Sequence, residues 1–210
     1  EGWVIGPPRY VGLGAQKAGT SWWNRLIEAH PDVVSVPGQP KELHFFDRLW
    51  AAWPTDGQIA DYHRYFPRPE GMLVGEKTPD YMNCAWVPPM AKLAAPEAKA
   101  IVLLRDPVDR YISGLSHQDR GGLLDGQGAE GELRVFGDRV RVVTDAIERG
   151  RYATQLEWLL QQYPAERLLV LGVPVCVQQR DRGDPQPLPP QAFEVRAQRL
   201  DAELLDDRAV

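Results

Sequence analysis

Cysteine is nearly absent: Cys84 and Cys176 are the only two in 210 residues. That excludes a disulfide framework and a cysteine-rich zinc site, and both side chains read as free thiols in a reducing cytosol. No apolar run approaches the roughly 20 residues a membrane-spanning helix needs. No secretory leader is expected, since Glu1 opens the chain and Pro7-Pro8 interrupts its first ten residues. Basic excess is missing too. Lys and Arg number 24 against 29 Asp and Glu, a net charge of −5, which argues against nucleic acid as a partner. It leaves room for a local basic pocket around one anionic ligand. Proline and glycine, by contrast, are plentiful at 19 each, as a fold of short βα units requires.

The most informative stretch is Tyr10-Val11-Gly12-Leu13-Gly14-Ala15-Gln16-Lys17-Ala18-Gly19-Thr20-Ser21. It reads as a strand, a glycine-bearing turn holding a lysine, and the start of a helix. Trp22, Trp23, Leu26 and Ile27 then recur at helical spacing, to about Ala29. A helix N-terminus with unpaired N–H groups beside a lysine is a phosphate or sulfate site. A P-loop NTPase places its lysine directly after the last glycine; here Lys17 comes before Gly19.

Further strands are expected near residues 34, 73, 102 and 169, between helices that start near Pro88, Pro107, Val135 and Tyr152. The aromatics Trp50, Trp53, Tyr62, Tyr65, Phe66 and Trp158 read as core. The repeated strand–loop–helix order predicts one domain over 1–210. Its class is α/β, a three-layer P-loop-like domain with a short, mainly parallel central sheet flanked by helices. In such sheets ligands bind beyond the carboxyl ends of the strands. Two polar segments fall there. One is Lys41-Glu42-Leu43-His44-Phe45-Phe46-Asp47. Glu42 is a candidate general base, and His44, with its near-neutral pKa, is a second. The other is Gly75-Glu76-Lys77-Thr78-Pro79-Asp80-Tyr81. The buried run 100–104 leads into Arg105-Asp106-Pro107-Val108-Asp109-Arg110, where Asp106 suits a helix N-cap and Pro107 the first turn. Arg105 can meet a phosphate with its bidentate fork; Arg110 reads as structural or surface.

Together these segments resemble sulfotransferases that use 3'-phosphoadenosine 5'-phosphosulfate (PAPS), the heparan sulfate type above all, in a bacterial-looking version. The likeness rests on Lys-x-Gly-Thr at 17–20, Lys-Glu-x-His-Phe-Phe-Asp at 41–47, Gly-Glu-Lys-Thr-Pro-x-Tyr at 75–81, Leu-Arg-Asp-Pro-Val-x-Arg with Ser113, and Gly-x-Tyr-x-x-x-Leu-x-x-Trp-Leu from 150. It spans residues 10–171. The resemblance implies PAPS as sulfuryl donor and 3'-phosphoadenosine 5'-phosphate (PAP) as product. It places Lys17, Ala18, Gly19, Thr20 and Ser21 on the 5'-phosphosulfate, and Arg105 and Ser113 on the 3'-phosphate. It gives Glu42 or His44 the catalytic proton, and sets Lys41, Asp47, Lys77 and Tyr152 around a carbohydrate or small-molecule acceptor, hydroxyl or amine. No metal is implied, because lysine supplies the charge, and the compartment is expected to be cytoplasmic. Residues 118–134 read either as an acceptor-side lid or as an insertion. Beyond Leu171 the resemblance fails: no basic, glycine-rich cover for the adenine is visible in the proline-rich stretch or in the charged helix expected from about Ala192. A P-loop kinase, with the apolar strand and Asp106 as a Walker B element, remains an alternative. So does a binding protein that keeps the pocket without turnover.

Overall fold

A computed structural model describes residues 2–119, 137 and 140–172. The proline-rich stretch, Cys176, the helix expected from about Ala192 and nearly all of the 118–134 loop lie outside them. Among the described residues the centre is a four-stranded parallel sheet in the order β4-β2-β5-β6. Its strands are β2 (Tyr10–Gly14), β4 (Gly75–Lys77), β5 (Lys99–Leu104) and β6 (Leu168–Gly172). A two-residue β1 (Trp3–Val4) pairs antiparallel with β3 (Arg68–Pro69) at the periphery. The helices are α1 (Thr20–Glu28), α2 (Asp56–His63), α3 (Val87–Ala94), α4 (Pro107–Asp119), α5 (140–148) and α6 (Tyr152–Leu160).

The sequence explains the starts of several elements. Thr55 and Gln58 close a reciprocal capping box on α2. Asp106 Oδ1 accepts the N–H groups of Val108 and Asp109 at 2.9 and 3.0 Å. That carboxylate is an exposed helix cap, which removes the Walker B role. The core is built from Val11, Leu13, Val74, Val102 and Leu103 of the sheet region with Phe46, Tyr62, Phe66, Met90 and Leu159. Arg110 is fully buried, and its guanidinium donates to the Ala146 carbonyl. It is structural, tying α4 to α5.

Two expectations need correction. The strand near residue 34 reduces to one parallel bridge, Val33 to Leu73. Pro31 and Pro37 bracket too short a segment for a ladder, and β4 begins only at Gly75. Trp50 and Trp53 are not core; they are 81% and 63% exposed, with Trp50 stacked on Trp86. Tyr65 is also exposed, while Tyr62 and Phe66 are buried as expected.

One close approach positions the functional edge. Gly12 pairs with Lys77, and a Cβ at Gly12 would lie 2.8 Å from the Lys77 Cβ. Gly12→Ala must therefore push β4 outward at Lys77. We expect a loss of about 1–3 kcal/mol, the usual cost of overpacking, read as a lower urea midpoint.

Candidate active site

β2 and β5 end at Gly14 and Leu104, and β4 at Lys77. The turns after these strands share one edge of the sheet. β2 lies between β4 and β5, so the chain departs to opposite sides of it, the arrangement that opens a ligand crevice in α/β sheets.

The first turn carries Lys17 at φ +67° and Gly19 at φ +81°. Gly19 is the N-cap of α1, and nothing stands within 4 Å of where its Cβ would be. Trp22 and Trp23 donate to the Gly19 carbonyl, which starts the helix and directs the earlier N–H groups outward. The turn is fastened at its base. Ala15 N–H donates to the Leu103 carbonyl at 2.8 Å, and Arg105 donates to the Lys17 carbonyl at 3.2 Å. This open backbone cradle, with a lysine and a half-buried arginine, fits a phosphate or sulfate group. Ser113 is half-buried two turns along α4.

The second component is a chain of charged groups. Lys77, buried at 6% exposure, donates to Glu42 Oε1 at 3.0 Å. Glu42 Oε2 lies 3.5 Å from His44 Nε2. His44 Nδ1 is 2.6 Å from Asp47 Oδ2. Burial alone would raise the Glu42 pKa, but the Lys77 hydrogen bond and the charges of Lys77, Lys41 and His44 outweigh it. Glu42 is therefore held below the ordinary carboxylate value. For His44, burial favours the neutral ring, but the Asp47 hydrogen bond and the charges of Asp47, Asp80 and Glu42 win and raise its pKa. Near neutral pH, Glu42 is ionised and the His44 ring is biased toward carrying both protons.

A cleft of about 270 Å³ adjoins this cluster and is lined by Ser21, Asn24, Arg25, Lys41 and Lys77. Helix α1 and the two lysines therefore share one hollow. A larger cavity of about 540 Å³ lies between α5 and α6, against Asn83, Arg141, Arg151 and Trp158. It contains none of the Lys17, Glu42 or His44 groups, so size does not make it the site. Trp158 lines this cavity and is not core. Tyr152 packs on the core; burial raises its pKa against the lowering charges of Arg110 and Arg105.

Sequence reasoning missed a layer beneath the cluster. Glu76 is fully enclosed and accepts hydrogen bonds from Tyr62, Thr78 and Tyr81. Arg149 pairs with Asp145 at 2.7 Å and with Asp80, joining α5 to the turn after β4. The segment 75–81 is visibly polar in the sequence; the burial of its glutamate is not visible there.

An anion cradle and an acid–base chain on one edge of a parallel sheet define a group-transfer domain. The sulfotransferase domain family matches residues 7–172, and the chain belongs to that family. It is 31% identical over 168 residues to human heparan sulfate glucosamine 3-O-sulfotransferase 3B1, covering 79% of this chain and 41% of that protein. It is 29% identical over 189 residues to the human bifunctional heparan sulfate N-deacetylase/N-sulfotransferase 3, covering 78% of this chain and 20% of that protein. The chain thus spans about two fifths or less of these curated relatives. A sulfotransferase crystal structure from Alicyclobacillus acidocaldarius superposes with a TM-score of 0.62 at 24% identity, covering 90% of this chain and 89% of that one, a likeness of fold. The kinase alternative is set aside by these matches and by the capping role of Asp106. Among the described residues no helix is long and apolar enough to cross a membrane.

Proposed function

We propose that this domain transfers a sulfuryl group from PAPS to a hydroxyl or amine of a carbohydrate, releasing PAP. The observation that carries the reading is the shared edge: the Lys17 cradle and the Lys77–Glu42–His44–Asp47 chain lie at the ends of adjacent strands of one sheet. The curated relatives are named for action on heparan sulfate, one at a 3-O position and one at nitrogen, which supports a glucosamine-type acceptor of either kind.

PAPS supplies an activated sulfuryl group. The backbone of Ala18, Gly19 and Thr20 and the Ser21 hydroxyl hold its 5' end, and Lys17 neutralises the negative charge that grows on the bridging oxygen as the S–O bond breaks. Arg105 and Ser113 hold the 3'-phosphate. Glu42 takes the proton of the attacking acceptor at Oε2, since Oε1 accepts from Lys77 at 3.0 Å and Oε2 has only the longer 3.5 Å approach of His44 Nε2. Lys41, Asp47 and Lys77 line the acceptor side. Tyr152, under the influence of the Arg105 and Arg110 charges, completes the acceptor side next to the donor's 3'-phosphate. Lysine supplies the charge here, so no divalent ion is required.

The test is calorimetric titration with PAP in the absence of magnesium, beside ATP and AMP. PAP is expected to bind more tightly than either control. Arg105→Ala should weaken PAP by about 10–100-fold, the value of a charge-assisted phosphate contact, with further loosening of the turn it braces. Preference for ATP with magnesium would overturn the assignment.

A further inference from the structure

Glu76 is the most deeply enclosed carboxylate near the active edge, and the proposed transfer makes no use of it. Its two oxygens collect hydroxyls from beneath the 42–47 segment. Tyr62 Oη donates to Oε1 at 2.6 Å and Tyr81 Oη to the same oxygen at 3.4 Å. Thr78 Oγ1 donates to Oε2 at 2.9 Å. On their other side, two of these hydroxyls hold the loop backbone. Thr78 Oγ1 accepts the N–H groups of Leu43 and His44 at 3.1 and 3.4 Å. Tyr81 Oη accepts the N–H of Phe45 at 2.9 Å.

The polarity of this relay is fixed from the far end. Backbone N–H groups can only donate. Thr78 Oγ1 therefore spends both lone pairs on Leu43 and His44, and its single proton must point at Glu76. Tyr81 is committed in the same direction. Both Glu76 oxygens then accept, and the ionised form satisfies all three hydroxyls at once. A proton on the Oε2 side would face Thr78 Oγ1, whose lone pairs are already engaged, and one on the Oε1 side would meet the proton that Tyr81 directs there.

We infer that Glu76 is a positioning residue: as a buried carboxylate it anchors residues 43–45 through Thr78 and Tyr81, and so sets Glu42 and His44 against Lys77. The inference rests on the sulfotransferase reading for its kinetic consequence, but not for the anchor itself. Neighbouring groups on every packed element bear on the same carboxylate: Tyr62 of α2, Asp47 of the loop, Tyr81 after β4, and Tyr163 after α6. Burial and the Asp47 charge push its pKa up to about 7, against the lowering by the Tyr62, Thr78 and Tyr81 hydroxyls, so the ionised anchor is complete only above neutral pH and exchange is read there.

The experiment compares the full chain with Glu76→Gln, Thr78→Val and Thr78→Ser by three readouts. Amide hydrogen exchange should quicken at least tenfold in Glu76→Gln at Leu43 and His44 or at Phe45, according to which oxygen the amide nitrogen replaces, with β5 amides unchanged. Thr78→Val should do the same at Leu43 and His44 only, and Thr78→Ser should restore protection. PAP affinity should stay within about twofold, since the Lys17 cradle is untouched, while kcat for transfer falls by about 10–100-fold in the first two variants and recovers in Thr78→Ser. Unchanged exchange and kcat in a folded Glu76→Gln protein overturn the proposal. If wild-type protein fails to bind PAP, the sulfotransferase reading falls, and the exchange data alone decide the anchor. If Glu76→Gln does not fold, the Thr78 pair carries the decision: protection and kcat equal in Val and Ser would sink the relay.

Discussion

Glu42→Gln is expected to lower sulfuryl transfer by about 10²–10⁴-fold, the range for removing a positioned general base, while PAP affinity moves little. The amide keeps the size of the side chain, and its oxygen can still accept from Lys77 Nζ, now 3.0 Å from Oε1. What it loses is the lone pair that takes the proton. The pH profile separates Glu42 from His44. Glu42 is held below its ordinary value of 4.5 and His44 above its ordinary 6.5. If Glu42 is the base, the acid limb of kcat/KM arising from it lies below pH 4.5, since only there does the carboxylate gain a proton. If His44 is the base, activity is lost as pH falls through a value above 6.5. A variant that keeps full activity, with an acid limb above pH 6.5, would give the proton to His44. Single-turnover rates across pH 4–9 for wild type, Glu42→Gln and His44→Ala decide between them. The geometry favours Glu42: between Asp47 and Glu42, the imidazole is stabilised in its charged form, which has no lone pair to offer.

The features legible in the sequence are those set by local rules. Tyr10–Gly14 and Lys99–Leu104 are strands because apolar residues recur densely there, as in sheets buried on both faces, and the apolar run Leu168–Gly172 adds a half-exposed edge strand. The 17–20 turn is legible because a glycine and a lysine precede a helical repeat. Local pattern fails where pairing partners decide. Residues 32–36 look like a strand, but only Val33 finds a partner. Trp50 looks like core because large apolar side chains usually are, yet it lies on the surface against Trp86. Lys77 reads as a loop residue; it ends β4, buried opposite Gly12. Glu76 is easily passed over because a buried carboxylate is tolerable only with donors around it. Those donors are Tyr62, far off on α2, and Thr78 and Tyr81, which the turn after β4 folds back onto it. The Lys77–Glu42 pair likewise joins residues 35 apart in sequence. The chemistry of each segment is readable from its residues; the contacts that combine the segments are not.

Lys17→Ala is the second change expected to be severe, with kcat lowered about 10²–10³-fold, as for loss of one preorganised charge contact to a transition state. The backbone supports a clean comparison. Lys17 already sits at φ +67°, a region equally unfavourable for lysine and alanine, so the substitution adds no strain of its own. The carbonyl that Arg105 holds at 3.2 Å is main chain and survives the change. The turn therefore keeps its fastening, and the loss isolates the ammonium. The charge it opposes is largest when the S–O bond is partly broken, so the effect belongs in kcat more than in ground-state affinity. PAP, which lacks the sulfuryl group, should bind within about threefold of wild type, a tolerance of under about 1 kcal/mol. Lys17→Arg should recover part of the rate, since the charge returns in a bulkier, planar group. Stopped-flow transfer with PAPS, beside PAP titrations of all three proteins, gives both numbers. Equal losses in kcat and PAP affinity would recast Lys17 as a ground-state phosphate contact. An unchanged kcat would remove the 17–21 turn from the chemistry altogether.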